Sequence, residues 1–394
     1  MHLQRLRYKD LEQIPHLKIN QNFKGDFFGS APAPFIGRFG YPNVNVGILS
    51  PQYSGDTSIY DAPKSWSAQQ LPIGTIAGLR YSLVNSRSQA NVKHVSGRFL
   101  EICQEVGMAA KPVEVEVNLK DTPKLKLDKD KTIFPFGPQA EIKQARITEN
   151  TTVDSRVERV VADTDLKATP AILSLYKKGF EENTLHKLLS VGNLGVKRTL
   201  VPTRWSITAT DDTIGKQLIQ EVKDFPLGEY QCFFGGSWGN YYLLLLFPEI
   251  WSYELFETYI SYKVNPWSKV GNFYSTDYED YQGRKTYAEE TAGGYYACRL
   301  AVLEKMKELK RQHACVALRF ITPEYNIPLG VWVCREATRR SLAEKSITFS
   351  SPELMLTYAE ELLKRKFGFD SNLLLKESRL LKQKKQQKKL REYT

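Results

Sequence analysis

The sequence predicts an α+β fold: a mixed, largely antiparallel sheet with packed helices, plus a helical, basic C-terminal tail. Three observations carry that expectation. Residues 113–119 (VEVEVNL) alternate apolar and polar with period two, the mark of a strand with one face in a core. Residues 295–312 place Leu300, Leu303, Met306 and Leu309 at three-residue steps and gather Lys and Arg at the C-terminal end, as an amphipathic helix does. Strand and helix patterns mix along the chain without the regular βαβ alternation of a doubly wound sheet.

The elements follow in order. Residues 20–75 are rich in Gly, Pro, Asn, Ser and aromatics, and Pro32, Pro34, Pro42 and Pro51 each break regular structure. Within them only 43–48 (NVNVGI) alternates like a short strand. The stretch is either irregular structure laid over a core or a set of ligand-contacting loops, and Phe35, Phe39 and Tyr41 argue that it is packed down. Residues 113–119 and 124–127 read as an antiparallel pair turning at Asp121-Thr122-Pro123. Helices are expected from 154 to about 167 and from Pro170 to 178, with the proline in the first turn. Residues 183–190 form a short helix stopped by Gly192 and Gly195. Buried strands at 230–234 and 241–247 are linked by the turn GGSWGN. Beyond the helix at 295–312, strands are expected at 316–321 and 329–334, and helices at 352–366 and 373–381. The expected division is a body over 1–350, a helical basic segment over 351–386 and a terminal peptide over 387–394.

Composition sets the outer bounds. With 394 residues, 42% hydrophobic and 25% charged, the chain has ample length for a core and is not wholesale disordered. Five scattered cysteines without a CxxC pair argue against a disulfide framework and a cysteine zinc finger. Apolar runs such as 241–247 fall far short of the roughly 20 residues a membrane span needs. The first ten residues lack an apolar signal region. The expectation is a soluble, cytoplasmic protein without a membrane partner. Of the net charge of +11, residues 376–394 hold eight cations against two acids, a net +6. Such a run is either a solvated tail or an arm for an anionic surface or a protein partner. The mildly basic body does not by itself establish nucleic-acid binding.

Chemistry concentrates in three stretches. Residues 197–212 (KRTLVPTRWSITATDD) pack Lys197, Arg198, Arg204, one Trp and an Asp pair into sixteen positions. Arg204 beside Trp205 combines a phosphate contact with a stacking ring, the pairing that single-strand binders use; the alternative places Trp205 in the core. Asp211 and Asp212 are hard oxygen ligands suited to Mg²⁺, or, before the apolar Ile214, Leu218 and Ile219, the N-cap of a helix over 212–223. In residues 283–299, Arg284 and Lys285 precede Glu289, Glu290 and Gly293-Gly294; the glycines either admit an anion at a helix start or simply start the helix. No Walker spacing is present. In residues 322–340, Glu324 and Glu336 accompany Arg335, Arg339 and Arg340, whose spacing puts the arginines on one side of a short helix as a phosphate stripe or a solvated face. No hydrolase template is present, and the five histidines show no metal-ligand spacing.

The blocks APFIGRFGYPNVNVG, DTDLKATPAILSLY, LSVGNLGVKR, VPTRWSITATDD, GRKTYAEETAGGYYACRLAVLE and PEYNIPLGVWVCRE resemble the archaeal Nre family of DNA-repair proteins, from about residue 30 to about 340. The resemblance implies a role in the DNA-damage response and binding to the sliding clamp (PCNA); it transfers no catalytic mechanism. Many members carry a cysteine-rich, zinc-binding N-terminal segment. This chain departs from that pattern, because its first cysteine is Cys103.

The last residues, QQKKLREYT, match a clamp-binding spacing on their own terms. Gln387, Leu390 and Tyr393 fall at the positions where a Gln, an aliphatic and an aromatic enter pockets from one helical turn, with Thr394 in the second aromatic place. Flanking lysines steer such a peptide to an acidic surface. The sequence therefore points first to a DNA-repair factor that engages damaged DNA and is tethered to PCNA. Its nucleic-acid candidates are Arg204, Trp205, Arg335, Arg339 and Arg340. The alternatives are a metal-dependent enzyme acting on nucleic acid, with Asp211, Asp212 and Glu289 as ligands for Mg²⁺, and a pure interaction factor.

Overall fold

The computed structural model describes residues 4–5, 23–124, 137–260 and 273–386. The fold is α+β, as the sequence predicts, and the chain divides into two compact units. One holds His16–Ile214 and Ile327–Gly330; the other holds Met1–Pro15, Gly215–Asn326 and Val331–Thr394. A two-residue strand, β1 (Gln4–Arg5), belongs to the second.

The first unit is built on six strands: β2 (Asp26–Ala31), β3 (Ala33–Ile36), β4 (Asn43–Ser50), β5 (Val84–Asn91), β6 (Val113–Leu119) and β7 (Gln139–Ile147). Their spatial order is β2-β6-β7-β5-β4-β3, antiparallel except for the β5–β7 pair. The two end strands, β2 and β3, are consecutive in the chain with only Pro32 between them. Ala31 and Ala33 therefore lie within about 8 Å, two Cα steps, so the sheet must curl to bring these two strand ends together. Residues from all six strands, among them Phe27, Ile36, Val46, Val84, Val115 and Ile142, share one core cluster. In β6 every second residue is buried, as its alternation predicts. Its partners are β2 and β7, not a strand at 124–127: Lys124 makes a single bridge to Gln139, and 125–127 lie outside the described residues.

The proline-rich stretch is more regular than its composition indicates. It supplies three strands and, after them, α1 (Pro63–Ala68) and α2 (Ile73–Tyr81). Prolines stand between strands, at an edge strand or at a helix start, where no ladder hydrogen bond is lost. Three of the remaining helices are α3 (Arg98–Met108), α4 (Ser155–Ala162) and α5 (Ala168–Lys177). Asp154 caps α4 by accepting from the Arg156 N–H at 2.8 Å. The helix ends at Ala162, five residues short of expectation, and Asp163 turns the chain by accepting from the N–H groups of Asp165 and Leu166. Next comes α6 (Glu182–Ser190), then α7 (Thr203–Lys223), and the division between the units falls inside α7, between Ile214 and Gly215.

The second unit is a mixed sheet of β8 (Tyr230–Ser237), β9 (Asn240–Phe247), β10 (Ser252–Tyr259), β11 (Phe273–Glu279), β12 (Ala314–Ile321) and β13 (Ile347–Phe349), ordered β1-β11-β10-β12-β9-β8-β13. The hairpin β8–β9 is the one the sequence indicates. All eight residues of β12 are buried, because both of its faces are covered. One face packs on α10 (Pro352–Phe367) and the segment behind it through Leu243, Val316, Phe320, Met355, Leu363 and Leu374. The other meets α8 (Gly293–Leu309) and α9 (Trp332–Ala343), with the Tyr253 and Tyr295 rings 5.0 Å apart. The helix α8 is consequently buried on all sides from Gly293 to Leu303 rather than amphipathic. Residues 329–334, expected as a strand, lead into α9 instead; their apolar run is the first turn of a buried helix, which length alone does not distinguish from a strand.

The basic C-terminal segment is docked through residue 386. After α11 (Asn372–Leu375), helix α12 (Arg379–Gln386) starts on a buried carboxylate of β10. Glu254 accepts from Ser378 Oγ at 2.5 Å and from the N–H groups of Arg379 (2.9 Å) and Leu380 (3.1 Å). Leu380 and Leu381 enter the core. Residues 387–394 lie outside the described residues.

His313, wholly buried before β12, gives the fold a pH dependence. Burial, helped by the positive charge of Arg311, pushes its pKa down from 6.5 to about 4. The unfolded chain therefore binds a proton between those values that the fold refuses, and stability falls as pH drops through the window. The loss should be on the order of 3 kcal/mol in full. Urea titrations at pH 7, 5.5 and 4.5 should show this slope, and His313→Gln should flatten it.

Candidate nucleic-acid interface

Three loops of the first unit converge around one residue. The Val92 N–H donates to the Pro42 carbonyl at 2.9 Å, and the Val92 carbonyl accepts from the Leu200 N–H at 2.9 Å. A third tie joins the Ile36 N–H to Thr203 Oγ1 at 2.9 Å, at the start of α7. Residues 37–43, 91–98 and 196–205 are thus neighbours. Together they hold Arg38, Lys93, Arg98, Lys197, Arg198 and Arg204 and not one Asp or Glu. Charge of a single sign on adjoining loops raises the local concentration of a polyanion.

Aromatic rings stand among these cations. Trp205 is 44% exposed and tilts against Tyr41, itself 54% exposed, with ring centroids 5.3 Å apart. Phe39 is 58% exposed and lies under the Arg38 guanidinium at 4.9 Å. Large rings left open beside cations form the kind of platform on which unpaired bases stack. The turn that presents them needs Gly40: its φ is +83°, and a Cβ there would sit 2.6 Å from the Asn43 carbonyl. Lys93, Arg98 and Lys197 are exposed, and Arg38 and Arg204 are half-buried. Arg198 serves the scaffold: its guanidinium donates to the carbonyls of Asn193, Val161 and Asp163.

The structure sorts the other residues singled out from sequence. Trp205 is not a core residue. Asp211 and Asp212 are not N-caps, because α7 begins at Thr203 and both stand in its middle; the first-turn N–H groups of Trp205 and Ser206 go to the Pro202 carbonyl instead. Asp211 is fully buried and Asp212 half-buried. Glu289 is exposed in a turn of the second unit. Among the described residues no three His, Cys, Asp or Glu side chains come together in a way that could hold a metal ion. The arginine stripe of α9 is neither a phosphate rail nor a solvated face. Arg335 is 3% exposed, and Arg339 pairs with Glu304 at 2.8 Å and Glu336 at 2.8 Å, leaving Arg340 half-buried beside them.

The glycine pair at the start of α8 faces protein carboxylates. A Cβ on Gly294 would meet Glu257 Oε1 at 2.5 Å, and Asp277 accepts from the N–H groups of Glu290 (3.1 Å) and Thr291 (2.8 Å). An outside anion would meet like charge there, so these glycines start the helix. All five cysteines are buried, and burial pushes their thiols up, so none presents a thiolate.

Arg38, Phe39, Tyr41, Lys93 and Arg98 escaped sequence reasoning. Phe39 and Tyr41 stood in view as aromatics expected to be packed down, whereas each ring is more than half exposed. Lys93 and Arg98 carried no signal at all, since only the pairing of β4 with β5 brings residue 91 beside residue 43.

Models of the archaeal Nre N-terminal and C-terminal regions match residues 8–267 and 279–393. The chain is 37% identical to DNA repair protein NreB of Archaeoglobus fulgidus over 88% of each chain. It is 36% identical to DNA repair protein NreA of Haloferax volcanii, over 82% of this chain and 80% of that protein. It is 34% identical to DNA repair protein NreA of A. fulgidus, over 86% and 85% respectively. No solved structure matches the chain.

Gly40→Ala should strain the turn that carries Phe39 and Tyr41. Urea denaturation is expected to show a loss of about 1–3 kcal/mol, the range for an L-residue forced to positive φ.

Proposed function

The chain belongs to the archaeal Nre family, and on that footing we propose that it is a DNA-repair factor. It engages single-stranded or unpaired segments of damaged DNA through the platform of Arg38, Phe39, Tyr41, Lys93, Arg204 and Trp205. One observation carries this reading: the exposed Trp205–Tyr41 ring pair on three adjoining loops that hold six cations and no acid. Cations along the loops take phosphates without regard to sequence, and the rings take the bases. A role on DNA in an archaeal family supports a cytoplasmic location. No helix of the described residues is long and apolar enough to cross a membrane.

The second part of the proposal is the tether. Gln387, Leu390 and Tyr393 keep the spacing of a clamp-binding peptide, and they follow directly on α12, which the Glu254 cap fixes to the sheet. A peptide leaving a docked helix holds the DNA-engaging body close to PCNA, raising its effective concentration on clamp-loaded DNA. No observation favours the metal-dependent enzyme.

Trp205→Ala is expected to weaken single-strand binding by about 1–3 kcal/mol. Arg204→Ala is expected to reduce the slope of log affinity against log salt by about one unit. Fluorescence anisotropy across a salt series measures both. Melting temperature on the same preparations should move little for Trp205→Ala, because the ring is open to solvent. Unchanged affinity in folded variants would remove the platform from the reading.

Leu390→Ala with Tyr393→Ala should abolish clamp binding while leaving the melting temperature in place. Titrating a peptide of residues 386–394 against PCNA checks the tether separately, and no binding at high micromolar peptide rejects it.

A further inference from the structure

Beside the platform the first unit holds an open cavity of about 590 Å³, within the roughly 300–1,000 Å³ of small-molecule sites. Val95 and Arg198 line it, and these belong to the loops 91–98 and 196–205 that carry the platform's cations. The cavity and the platform therefore share two walls.

The lining is one-sided in its hydrogen bonding. The Asn193 amide donates to the Gln104 carbonyl at 2.9 Å, and the Gln104 amide donates to the Val191 carbonyl at 3.3 Å. The Thr151 hydroxyl donates to Glu105, and the Arg198 guanidinium is turned onto three backbone carbonyls. Each of these four side chains thus spends donors on protein acceptors, while Glu101, Glu105 and Glu158 bring carboxylates to the walls. Ionised carboxylates only accept, so the complementary ligand is rich in donors. Met108, Val153 and Val161 supply apolar surface for a flat or aliphatic body.

Charge selects among donor-rich ligands. The three carboxylates outnumber Arg198, the one cation of the lining, and disfavour a phosphate in the cavity, while Lys93, Arg98, Lys197 and Arg204 on the adjoining loops repel a free organic cation on approach. A nucleotide within a strand satisfies both fields: its phosphate stays on the cationic loops while its base enters the acceptor-lined cavity. Resting on the DNA-engaging role proposed above, we infer that this cavity receives a base extruded from a DNA strand, and one that bears an amino group. Guanine fits best, since its adjacent N1–H and N2–H₂ donors match the two oxygens of one carboxylate. Extrusion costs least where the base is already unpaired, which selects damaged or single-stranded DNA.

The test uses the full chain and two fluorescein-labelled 20-mers, one of thymine only and one with a single central guanine. Anisotropy should show both bound, with the guanine strand about tenfold tighter. In the double variant Glu101→Gln/Glu158→Gln the ratio of the two affinities should fall to about one; the ratio is read because removing acids raises binding to any strand. Circular dichroism confirms that the variant is folded. A ratio of one in the parent protein, with the thymine strand still bound, overturns the cavity's role and leaves the platform standing. Failure to bind either strand overturns the platform as well. A titration in which spermidine abolishes the guanine preference at concentrations that leave thymine-strand binding intact, while guanosine does not bind, identifies an organic-cation site and overturns the inference.

Discussion

The two backbone groups of Val92 hold the interface together. One donates to Pro42, the other accepts from Leu200, and so one residue with its side chain in the core fixes loops that are more than a hundred positions apart in sequence. Both are groups the chain must satisfy in any case, since burying them unpaired costs more than a hydrogen bond gains. The consequence is rigidity where a binding surface benefits from it. Rings and cations that are held before a ligand arrives lose little freedom on binding. Beneath them the antiparallel pairing of β4 with β5, Asn43 opposite Asn91, keeps the ends of these two strands in register where two of the loops begin.

The second unit invests its polar groups differently. Arg299 and Glu279 form a pair at 2.8 Å, 1% and 0% exposed, and the Trp251 indole N–H reaches the same carboxylate at 3.2 Å. Arg319 joins Glu257 and Asn240 across neighbouring strands. Buried charges persist only when partners replace the water they lose, and losing one partner strands the other. Several residues that look chemical in sequence, Arg335, Arg339 and the two glycines that open α8, belong to this interior or its margin. A cluster of conspicuous residues is thus not by itself a site; their exposure decides.

Set against this, the interface and its neighbouring cavity divide charge in space. Acid-free loops surround the rings, and the carboxylates stand back in the cavity wall. A strand with phosphates outside and bases turned inward has the matching order. On the function proposed above, that complementarity would connect the DNA-repair role of the family to specific side chains of this protein.

The sequence by itself determined the elements with strong local patterns. The alternation of 113–119, the hairpin at 230–247 and the helices at 183–190 and 352–366 appear close to where periodicity puts them, because each pattern mirrors one core face. It also determined the family, through long blocks of specific residues, and it singled out Arg204 and Trp205. Tertiary structure alone decided which of the candidates face solvent. Asp211 lies mid-helix rather than at a cap because α7 begins nine residues earlier than propensity indicates. Arg335 is enclosed because α9 lies against another helix and the sheet, and Phe39 and Tyr41 stand open because their turn leads away from the core. Lys93 and Arg98 join Arg204 only through strand pairing and two backbone hydrogen bonds. Contacts between distant segments have no local signature, since nothing at residue 92 encodes which carbonyl it will meet.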